Sequence, residues 1–271
     1  MNSLHPSIAP NFVSLPMKTA SRRDYLRRGL AIAAALLCTA CFLPAENVAP
    51  GKIRIVLVGD STVTDDAGWG KGFANSMAGD VEVINCAKGG RSSKSFITEG
   101  SWRKVLKMKP DYVLLQFGHN DQPGHGDRET DPRTTYRQAM TQYVDEARAA
   151  GIEPILVTSL SRRQWGKDGK IRSGLQPWVD AVKAIAAEKH VPLIDLHARS
   201  IKVYEQMGRE KMLEISPLKK AKPRSANSAN TSPGKPSVDG THLNQKGSAI
   251  FGPIVAQGLK SAVPKLASHI K

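Results

Sequence analysis

The stretch IRIVLVGDST (residues 53–62) joins an unbroken apolar run to a short polar turn. The apolar run is rich in β-branched residues and does not alternate with polar ones, which is typical of a strand buried on both faces in a parallel sheet. Similar runs recur further along the chain. They are VEVIN (81–85), DYVLLQF (111–117), IEPILVT (152–158) and VPLIDL (191–196).

Helical patterns lie between these runs. Residues 136–151 end in a glycine, residues 177–190 have apolar positions at helical spacing, and residues 244–263 form an amphipathic pattern interrupted by Pro253. Strands that alternate with helices are typical of βαβ units with right-handed crossovers. The sequence therefore predicts the α/β class, as a three-layer α/β/α sandwich around a parallel sheet.

The composition is that of a globular protein with a strong positive charge. The chain has 271 residues, of which 40% are hydrophobic and 23% charged, and 39 Lys and Arg against 24 Asp and Glu give a net charge of +15. This excess favours a polyanionic partner, which can be nucleic acid, an anionic membrane surface or an acidic polysaccharide. The sequence has no recognised nucleic-acid-binding motif and no basic helix with interleaved aromatic residues, which argues against nucleic acid.

Residues 1–45 are predicted to be an export signal. SRRDYLRRGL precedes AIAAALLCTACFLPA, which gives the order of a basic region, a short apolar region and small residues. The pair Arg22-Arg23 resembles a twin-arginine signal, and Met17 is an alternative start. We expect a periplasmic or extracellular protein with no stable membrane association after signal removal. The alternatives are an uncleaved membrane anchor and a lipoprotein attached through Cys41.

Residues 46–271 are predicted to form a single domain with one unusual segment. SPLKKAKPRSANSANTSPGKPS (216–237) is rich in Pro, Ser, Asn and Lys and has almost nothing to bury, so we expect a long basic loop. Of the three cysteines, only Cys86 lies outside the expected signal. An intramolecular disulfide is therefore not expected in the domain, and Cys86 is predicted to be a small buried apolar residue.

Polar turns follow three of the predicted strands, at the edge where open parallel sheets bind their ligands. The turn GDST (59–62) follows the first strand, AKGGRSS (87–93) the second and GHND (118–121) the third. A fourth polar stretch, DGTHLN (239–244), precedes the last predicted helix. If the sheet forms as predicted, the four stretches converge on one edge.

The side chains in these stretches suit acyl transfer. A serine hydroxyl needs a base to remove its proton, and the imidazole that does so needs a carboxylate to fix its tautomer. Ser61, His242 and Asp239 supply these three groups. The backbone N–H groups of Ser61 and Gly90 and the amide of Asn120 can donate to the oxyanion that forms.

Each turn also has a simpler interpretation. GDST is a common helix N-terminus, with Ser61 at the start of the helix and Thr62 and Asp65 as capping residues. GGRSS can be a glycine-rich turn or a phosphate cradle, GHND a loop held by Asn and Asp side chains, and DGTH a turn with a solvated histidine. The catalytic interpretation depends on finding all four stretches together, in this order.

A metal site is a rival interpretation of one loop. HNDQPGHGD contains His119, Asp121, His125 and Asp127, which are suitable ligand types. The Gly and Pro residues between them give no fixed helical face. We therefore expect no metal, with His125 on a loop that faces the substrate.

The blocks GDST, GGRSS, GHND and DGTHL resemble those of the SGNH (GDSL-type) hydrolase superfamily. The stretches GWGKG, AKGGRSSKSFITEGSW, PDYVLLQFGHND and YVDEARAAGIEPILVTSLSRR are similar to its rhamnogalacturonan acetylesterase-like branch. The resemblance extends over about residues 51–262. It implies a flavodoxin-like sandwich with a five-stranded parallel sheet. It also implies a cofactor-free serine esterase that removes acetyl groups from rhamnogalacturonan or pectin.

The resemblance also implies roles for individual residues. By position, Ser61 is the nucleophile, Asp239 and His242 complete the triad, and Ser61, Gly90 and Asn120 form the oxyanion hole. The basic loop at 216–237 is longer than the resemblance leads us to expect, which leaves the substrate preference near the triad open.

Substrate contacts are expected from loops at strand ends. Arg91, Arg162 and Arg163 are candidates to bind the carboxylates of an acidic polysaccharide. His119, next to an oxyanion donor, and Trp165, in the polar loop SRRQWGKDGK, are further candidates.

Two other functions stay open from the sequence alone. One is a broad acetylesterase that acts on acetylxylan or short acyl esters. The other is a catalytically idle carbohydrate-binding relative. Whichever of these functions holds, the proposed one included, we expect a monomer.

Overall fold

A computed structural model of the chain describes residues 51–218 and 238–271. The expected export signal at 1–45 and residues 219–237 of the expected basic loop lie outside the described residues. Within the two described ranges, no helix is long and apolar enough to cross a membrane.

The centre of the fold is a five-stranded sheet in which all neighbouring strands are parallel. Each strand lies on one of the predicted apolar runs, and the order across the sheet is β2-β1-β3-β4-β5. The strands are β1 (Ile53–Gly59), β2 (Val81–Asn85), β3 (Tyr112–Gln116), β4 (Glu153–Val157) and β5 (Leu193–Ile194). The prediction of a parallel sheet is confirmed.

Helices cover both faces of the sheet. They are α1 (Gly70–Asn75), α2 (Ser93–Thr98), α3 (Ser101–Met108), α4 (Thr135–Ala149), α5 (Gln176–Lys189), α6 (Leu196–Lys211) and α7 (Gln245–Ala262). The buried side chains of α1, α6 and α7 belong to the core on one face, and those of α2 to α5 to the core on the other. This arrangement is the predicted three-layer sandwich.

The two cores explain why the first strand is apolar throughout. Ile55 and Leu57 belong to the core beneath α1, α6 and α7, whereas Val56 and Val58 belong to the core on the opposite face. All four side chains are at most 1% exposed. Because side chains alternate along a strand, burial on both faces requires apolar residues at consecutive positions.

The strand order places a topological switch point where the site is expected. The chain runs from β1 to β2 on one side and then crosses to β3 on the other side of β1. Connections diverge at the carboxyl ends of β1 and β3, and such a topological switch point is where open α/β sheets bind ligands. Ser61 follows β1, and Asn120 follows β3.

The last helix differs from its prediction. Helix α7 continues without a break through Pro253, although a proline removes one helical hydrogen bond. The helix packs closely against α1, with Gly252 against Gly72, and it buries Phe251 and Val255. We attribute its continuity to this tertiary packing, which outweighs the local cost of the proline, about 3 kcal/mol.

Candidate active site

Ser61 lies in a tight turn directly after β1. Oδ1 of Asp60 accepts hydrogen bonds from the backbone N–H of Thr62 (2.9 Å) and from its hydroxyl (2.7 Å). The hydroxyl of Thr62 in turn accepts a bond from the amide of Gln116, which accepts from the indole N–H of Trp69. This buried chain of bonds fixes the turn from beneath and leaves Ser61 at its surface.

The capping interpretation of this turn is wrong. Residues 61–69 form consecutive turns and bends, and the next helix, α1, begins at Gly70. Thr62 donates to Asp60, and Oδ1 of Asp65 accepts a bond from the amide of Asn85. The Asp60 side chain bonds the N–H two residues on, and such an Asx turn competes locally with helix formation.

A second turn, just before α7, carries the expected base and its partner. Nδ1 of His242 lies 2.8 Å from Oδ2 of Asp239, and Nε2 of His242 lies 2.7 Å from Oγ of Ser61. Oδ1 of Asp239 accepts the backbone N–H groups of Thr241 (2.6 Å) and His242 (3.0 Å). One carboxylate therefore shapes the turn with one oxygen and orients the imidazole with the other.

The environment of Asp239 keeps its carboxylate ionised. Partial burial alone would raise the pKa, but the hydrogen bonds from His242 and Thr241 and the adjacent imidazole lower the pKa of Asp239 to about 2. An ionised Asp239 accepts from Nδ1–H of His242, so Nε2 is left with a lone pair toward Ser61.

The glycine-rich turn that contains one expected oxyanion donor, Gly90, lies beside Ser61, and the second, Asn120, is bonded to the same turn. A methyl group added at Gly89 would sit 3.7 Å from Cβ of Ser61, so the glycine-rich turn is against the nucleophile. Gly90 has φ of +77°, and Nδ2 of Asn120 donates to the carbonyl of Arg91 at 3.1 Å. Among the residues described, the N–H groups of Ser61 and Gly90 donate to no other protein group. These donors are therefore available to a developing negative charge.

Arg128 supports this turn, although no sequence pattern pointed to it. Nη1 of Arg128 donates to the carbonyl of Gly90 at 2.7 Å, and Nε donates to the carbonyl of His125 at 3.2 Å. Glu129 accepts three backbone N–H groups in the same loop and holds its shape. In the sequence, an arginine in a polar loop cannot be distinguished from an ordinary surface residue, so this contact could not be predicted.

A buried acid and imidazole lie behind the nucleophile. Nδ1 of His119 is 3.4 Å from Oδ2 of Asp60, and the side chains are 3% and 0% exposed. Burial would raise the pKa of Asp60, but the imidazole and the bonds from Thr62 lower it below its ordinary value. His119 therefore contacts the protein interior rather than a surface groove, which does not fit its expected role as a substrate contact.

Asp121 links two of the functional loops. Its carboxylate accepts the hydroxyl (2.5 Å) and the backbone N–H of Ser93 (3.1 Å), and the hydroxyl of Thr130 (3.0 Å). Burial raises the pKa of Asp121 to about 7, against the opposing effect of these hydrogen bonds. The residue connects the Asn120 loop to the start of α2.

The three candidate arginines differ in their surroundings. Arg91 is partly exposed, with Nε 3.0 Å from a carboxylate oxygen of Glu99. Arg162 is half-buried, donates to the carbonyl of His119, and has its pKa lowered by burial. Arg163 is only 5% exposed and bonds to backbone carbonyls, so its guanidinium is not free to bind a substrate carboxylate.

Trp165 is half-buried in the loop after β4. Its backbone pairs with Ile171, and the guanidinium of Arg209 lies 5.6 Å from the ring centroid. Trp69 and Trp102, which lie in the stretches GWGKG and AKGGRSSKSFITEGSW, are at most 2% exposed and belong to the core.

The ligand types of the rival metal site do not converge. His119 faces Asp60, and Asp121 faces Ser93 and Thr130. In residues 51–218 and 238–271 no group of three or more His, Cys, Asp or Glu is placed to hold a metal ion. The hydroxyl of Ser61, the imidazole of His242 and the carboxylate of Asp239 are in contact, and N–H donors are present beside them. These are the groups that acyl transfer requires.

Comparison with known proteins also indicates an acyl hydrolase. The sequence pattern of the GDSL-like lipase/acylhydrolase family matches residues 57–250. Rhamnogalacturonan acetylesterase RhgT of Bacillus subtilis (strain 168) is 36% identical over 229 residues, which cover 80% of this chain and 94% of that protein.

Solved structures share the fold. The crystal structure of the Bacillus subtilis protein YxiM matches with a TM-score of 0.63 and 26% identity, over 78% of this chain and 56% of that chain. This chain thus spans little more than half of that structure. An acetylxylan esterase of Geobacillus stearothermophilus, Axe2, matches with a TM-score of 0.54 over 78% of this chain and 94% of that chain. At 16% identity, this second likeness shows the fold alone.

Proposed function

The chain belongs to the GDSL-like lipase/acylhydrolase family and is a carboxylic ester hydrolase, and from this premise we propose that it deacetylates an acidic plant polysaccharide of the rhamnogalacturonan type. The observation that carries the proposal is the continuous contact from Asp239 through His242 to Ser61, beside the turn that contains Gly90. The 36% identity to a rhamnogalacturonan acetylesterase over most of both chains supports the acetyl ester and the class of polysaccharide.

The proposed reaction proceeds through an acetyl-enzyme. Nε2 of His242 takes the proton of the Ser61 hydroxyl as Oγ attacks the acetyl carbonyl carbon. The carbonyl oxygen becomes an oxyanion, which accepts from the N–H groups of Ser61 and Gly90 and from the second amide hydrogen of Asn120. When the intermediate collapses, the bond to the sugar oxygen breaks, and His242 returns the proton to that oxygen.

The second half of the reaction releases acetate. A water molecule loses a proton to Nε2 of His242 and attacks the acetyl carbon bound to Ser61. The oxyanion forms again at the same donors, the bond to Oγ breaks, and the proton returns to Ser61. Asp239 stays ionised throughout and stabilises the imidazolium form of His242.

The positive charge supports an acidic substrate. Residues 1–45 hold five basic residues and one acidic residue, so the net charge of +15 falls only to +11 without them, and a polyanion is still attracted over long range at low ionic strength. Arg91 and Arg162 border the loops that surround Ser61 and are the remaining candidates for contacts to galacturonate carboxylates.

The substrate is tested by acetate release from a panel of esters. Acetylated rhamnogalacturonan, acetylated homogalacturonan, acetylxylan and an aryl acetate are compared at low and at high salt. We expect the highest kcat/KM on rhamnogalacturonan, with a preference that weakens at high salt. A higher kcat/KM on acetylxylan would overturn the proposed substrate while leaving the esterase assignment intact. Failure of a fluorophosphonate to label Ser61 would instead favour an idle binding protein.

We further propose that residues 1–45 direct export, because their order of basic, apolar and small residues is that of an export signal. Cell fractionation and the mass of the mature chain test this proposal. Replacing Arg22 and Arg23 by lysine should retain the precursor in the cytoplasm. An unprocessed wild-type chain found only in the cytoplasm would contradict it.

A further inference from the structure

Arg163 connects the loop after β4 to the turn that carries the base and its partner. Its Nη2 donates to the carbonyl of Asp239 at 2.8 Å and also to the carbonyl of His242. The backbone N–H of Arg163 donates to the carbonyl of Gly240 at 2.7 Å. Three of the four carbonyls in the turn at 239–242 therefore accept from this one residue.

The turn at 239–242 needs such a support. Two of its N–H groups are bonded within the turn, because Oδ1 of Asp239 accepts those of Thr241 and His242. The N–H of Asp239 donates to the carbonyl of Pro217. These contacts shape the turn and join it to the segment that contains Pro217. They do not join it to the loop at the carboxyl end of β4. Arg163 makes that connection.

The guanidinium of Arg163 is itself held in place. Nη1 lies 3.3 Å from the hydroxyl of Tyr204, and the guanidinium carbon lies 5.5 Å from the centroid of the same ring. Burial raises the pKa of Tyr204 to about 12, although the nearby Arg163 acts to lower it, so the hydroxyl is neutral at pH 7.

The hydrogen bonds of this arginine are directed at backbone oxygens. In the described parts of the chain, no carboxylate lies within ion-pair distance of Arg163. Burying a cation costs free energy unless the cation is hydrogen-bonded. Here the carbonyl oxygens accept hydrogen bonds from the guanidinium, and an aromatic face stabilises its charge. The planar fork of arginine can reach several carbonyls at once, whereas lysine is a single compact charge.

We propose that Arg163 is a positioning residue for the triad, which holds the carbonyls of Asp239 and His242 so that Nε2 of His242 stays in line with Oγ of Ser61. The inference rests on the proposed role of the triad. Arg163 touches neither substrate nor the reacting atoms, and it acts on the rate through the position of His242. Loss of the hydrogen bonds from Arg163 to the turn therefore lowers kcat and leaves the binding of substrate almost unchanged.

The variants Arg163→Lys and Arg163→Met test this proposal, with an aryl acetate as substrate. A misplacement of about 1 Å can cost about 100-fold in rate, so we expect kcat to fall about 10- to 100-fold in Arg163→Met, with KM within about twofold. Arg163→Lys should recover part of the loss. Arg133→Met is the matched control, because the side chain of Arg133 is 87% exposed, and its kcat should stay within about twofold of wild type.

Two further measurements separate positioning from a general loss of stability. In a His242→Ala background, Arg163→Met should cause no further loss of the residual rate, because the residue acts through His242. In wild-type protein, the proton NMR signal of the Nδ1–H of His242 should be sharp and far downfield, and in Arg163→Lys it should broaden or shift.

The outcomes are decisive in both directions. A folded Arg163→Lys or Arg163→Met variant with wild-type kcat, or an equal loss of rate with and without His242, would overturn the inference. If Arg163→Met does not fold, the Arg163→Lys variant alone decides, by its kcat and by the His242 signal. If Ser61→Ala retains activity, the proposed function fails. That result is distinct from an unchanged kcat in the Arg163 variants, which overturns only the role of Arg163.

Discussion

Oγ of Ser61 lies 2.7 Å from Nε2 of His242, although the two residues are 181 positions apart in the chain. Ser61 is carried by the turn after β1, and His242 by the turn that precedes α7. The contact exists because α7 packs against the same face of the sheet as α1, which brings its N-terminus to the carboxyl edge of the strands. Nδ1 of His242 is occupied by Asp239, so Nε2 is free to accept the serine proton.

The carboxylate of Asp239 should be essential for turnover. Asp239→Asn preserves the size of the side chain but favours the wrong tautomer of His242, so we expect kcat to fall by about three to four orders of magnitude. Acetate release under saturating substrate measures the effect. The control is Asp66→Asn, an exposed carboxylate in the turn that contains Ser61, which should keep near-wild-type kcat. Equal rates for Asp239→Asn and wild type would contradict the proposed triad.

The bond from Arg128 to Gly90 should matter for transition-state stabilisation. Without Nη1 of Arg128, the Gly90 carbonyl loses its side-chain donor, so the backbone of Gly90 and the adjoining peptide that carries its N–H are less restrained. We expect Arg128→Met to lower kcat about tenfold with little change in KM, a fraction of the loss typical of removing an oxyanion donor outright. A fall in affinity with unchanged kcat would show that Arg128 binds substrate instead.

The buried Asp121 predicts a pH-dependent stability. Burial raises its pKa from the ordinary value of about 4 to about 7, so between these pH values the folded protein binds a proton that the unfolded chain has lost. The stabilisation is complete below about pH 4 and is lost as the pH rises through 7. From pH 5 to pH 7.5, this group should lower the free energy of unfolding by about 2 kcal/mol.

Urea unfolding of wild type and Asp121→Asn across this pH range measures that contribution. As the pH rises, the free energy of unfolding of Asp121→Asn should increase relative to that of wild type, while the m-values of both proteins stay constant. A difference that does not vary from pH 5 to pH 7.5 would contradict a raised pKa for Asp121.

Gly59 should be required for the turn at the end of β1. A Cβ at this position would lie 2.5 Å from the carbonyl oxygen of Gln116 and from a methyl group of Val63, in a fully packed region. We expect Gly59→Ala to lower the free energy of unfolding by about 1–3 kcal/mol. Gly79→Ala is the control, since a Cβ there meets nothing within 4 Å. Equal unfolding free energies for the two variants would show that the turn adapts.

The sheet and the position of the site follow from local sequence patterns. Strands buried on both faces leave a continuous apolar signal, which is why β1 and β3 are located within one residue of their predicted ends. Their order then places Ser61 and Asn120 at one edge. The local pattern predicts an interruption of helix α7 at Pro253, because it does not contain the packing of this helix against α1.

The roles of individual arginines could not be predicted from sequence. Arg162 and Arg163 are adjacent in a polar loop, and both were candidates for substrate carboxylates. Their difference depends on tertiary contacts, since Arg163 turns inward to the carbonyls of Asp239 and His242. Likewise, no local pattern indicates that Asp60 pairs with His119, because His119 comes from the turn after β3.

The central claim, that Ser61 carries the acetyl group, is tested most directly by the turnover of Ser61→Ala. Acetate release from an aryl acetate is measured for this variant and for wild type at equal protein concentration, with folding verified by cooperative thermal unfolding. The proposed mechanism predicts a loss of at least about three orders of magnitude in kcat. A folded Ser61→Ala variant that retains more than about a tenth of the wild-type kcat would contradict it.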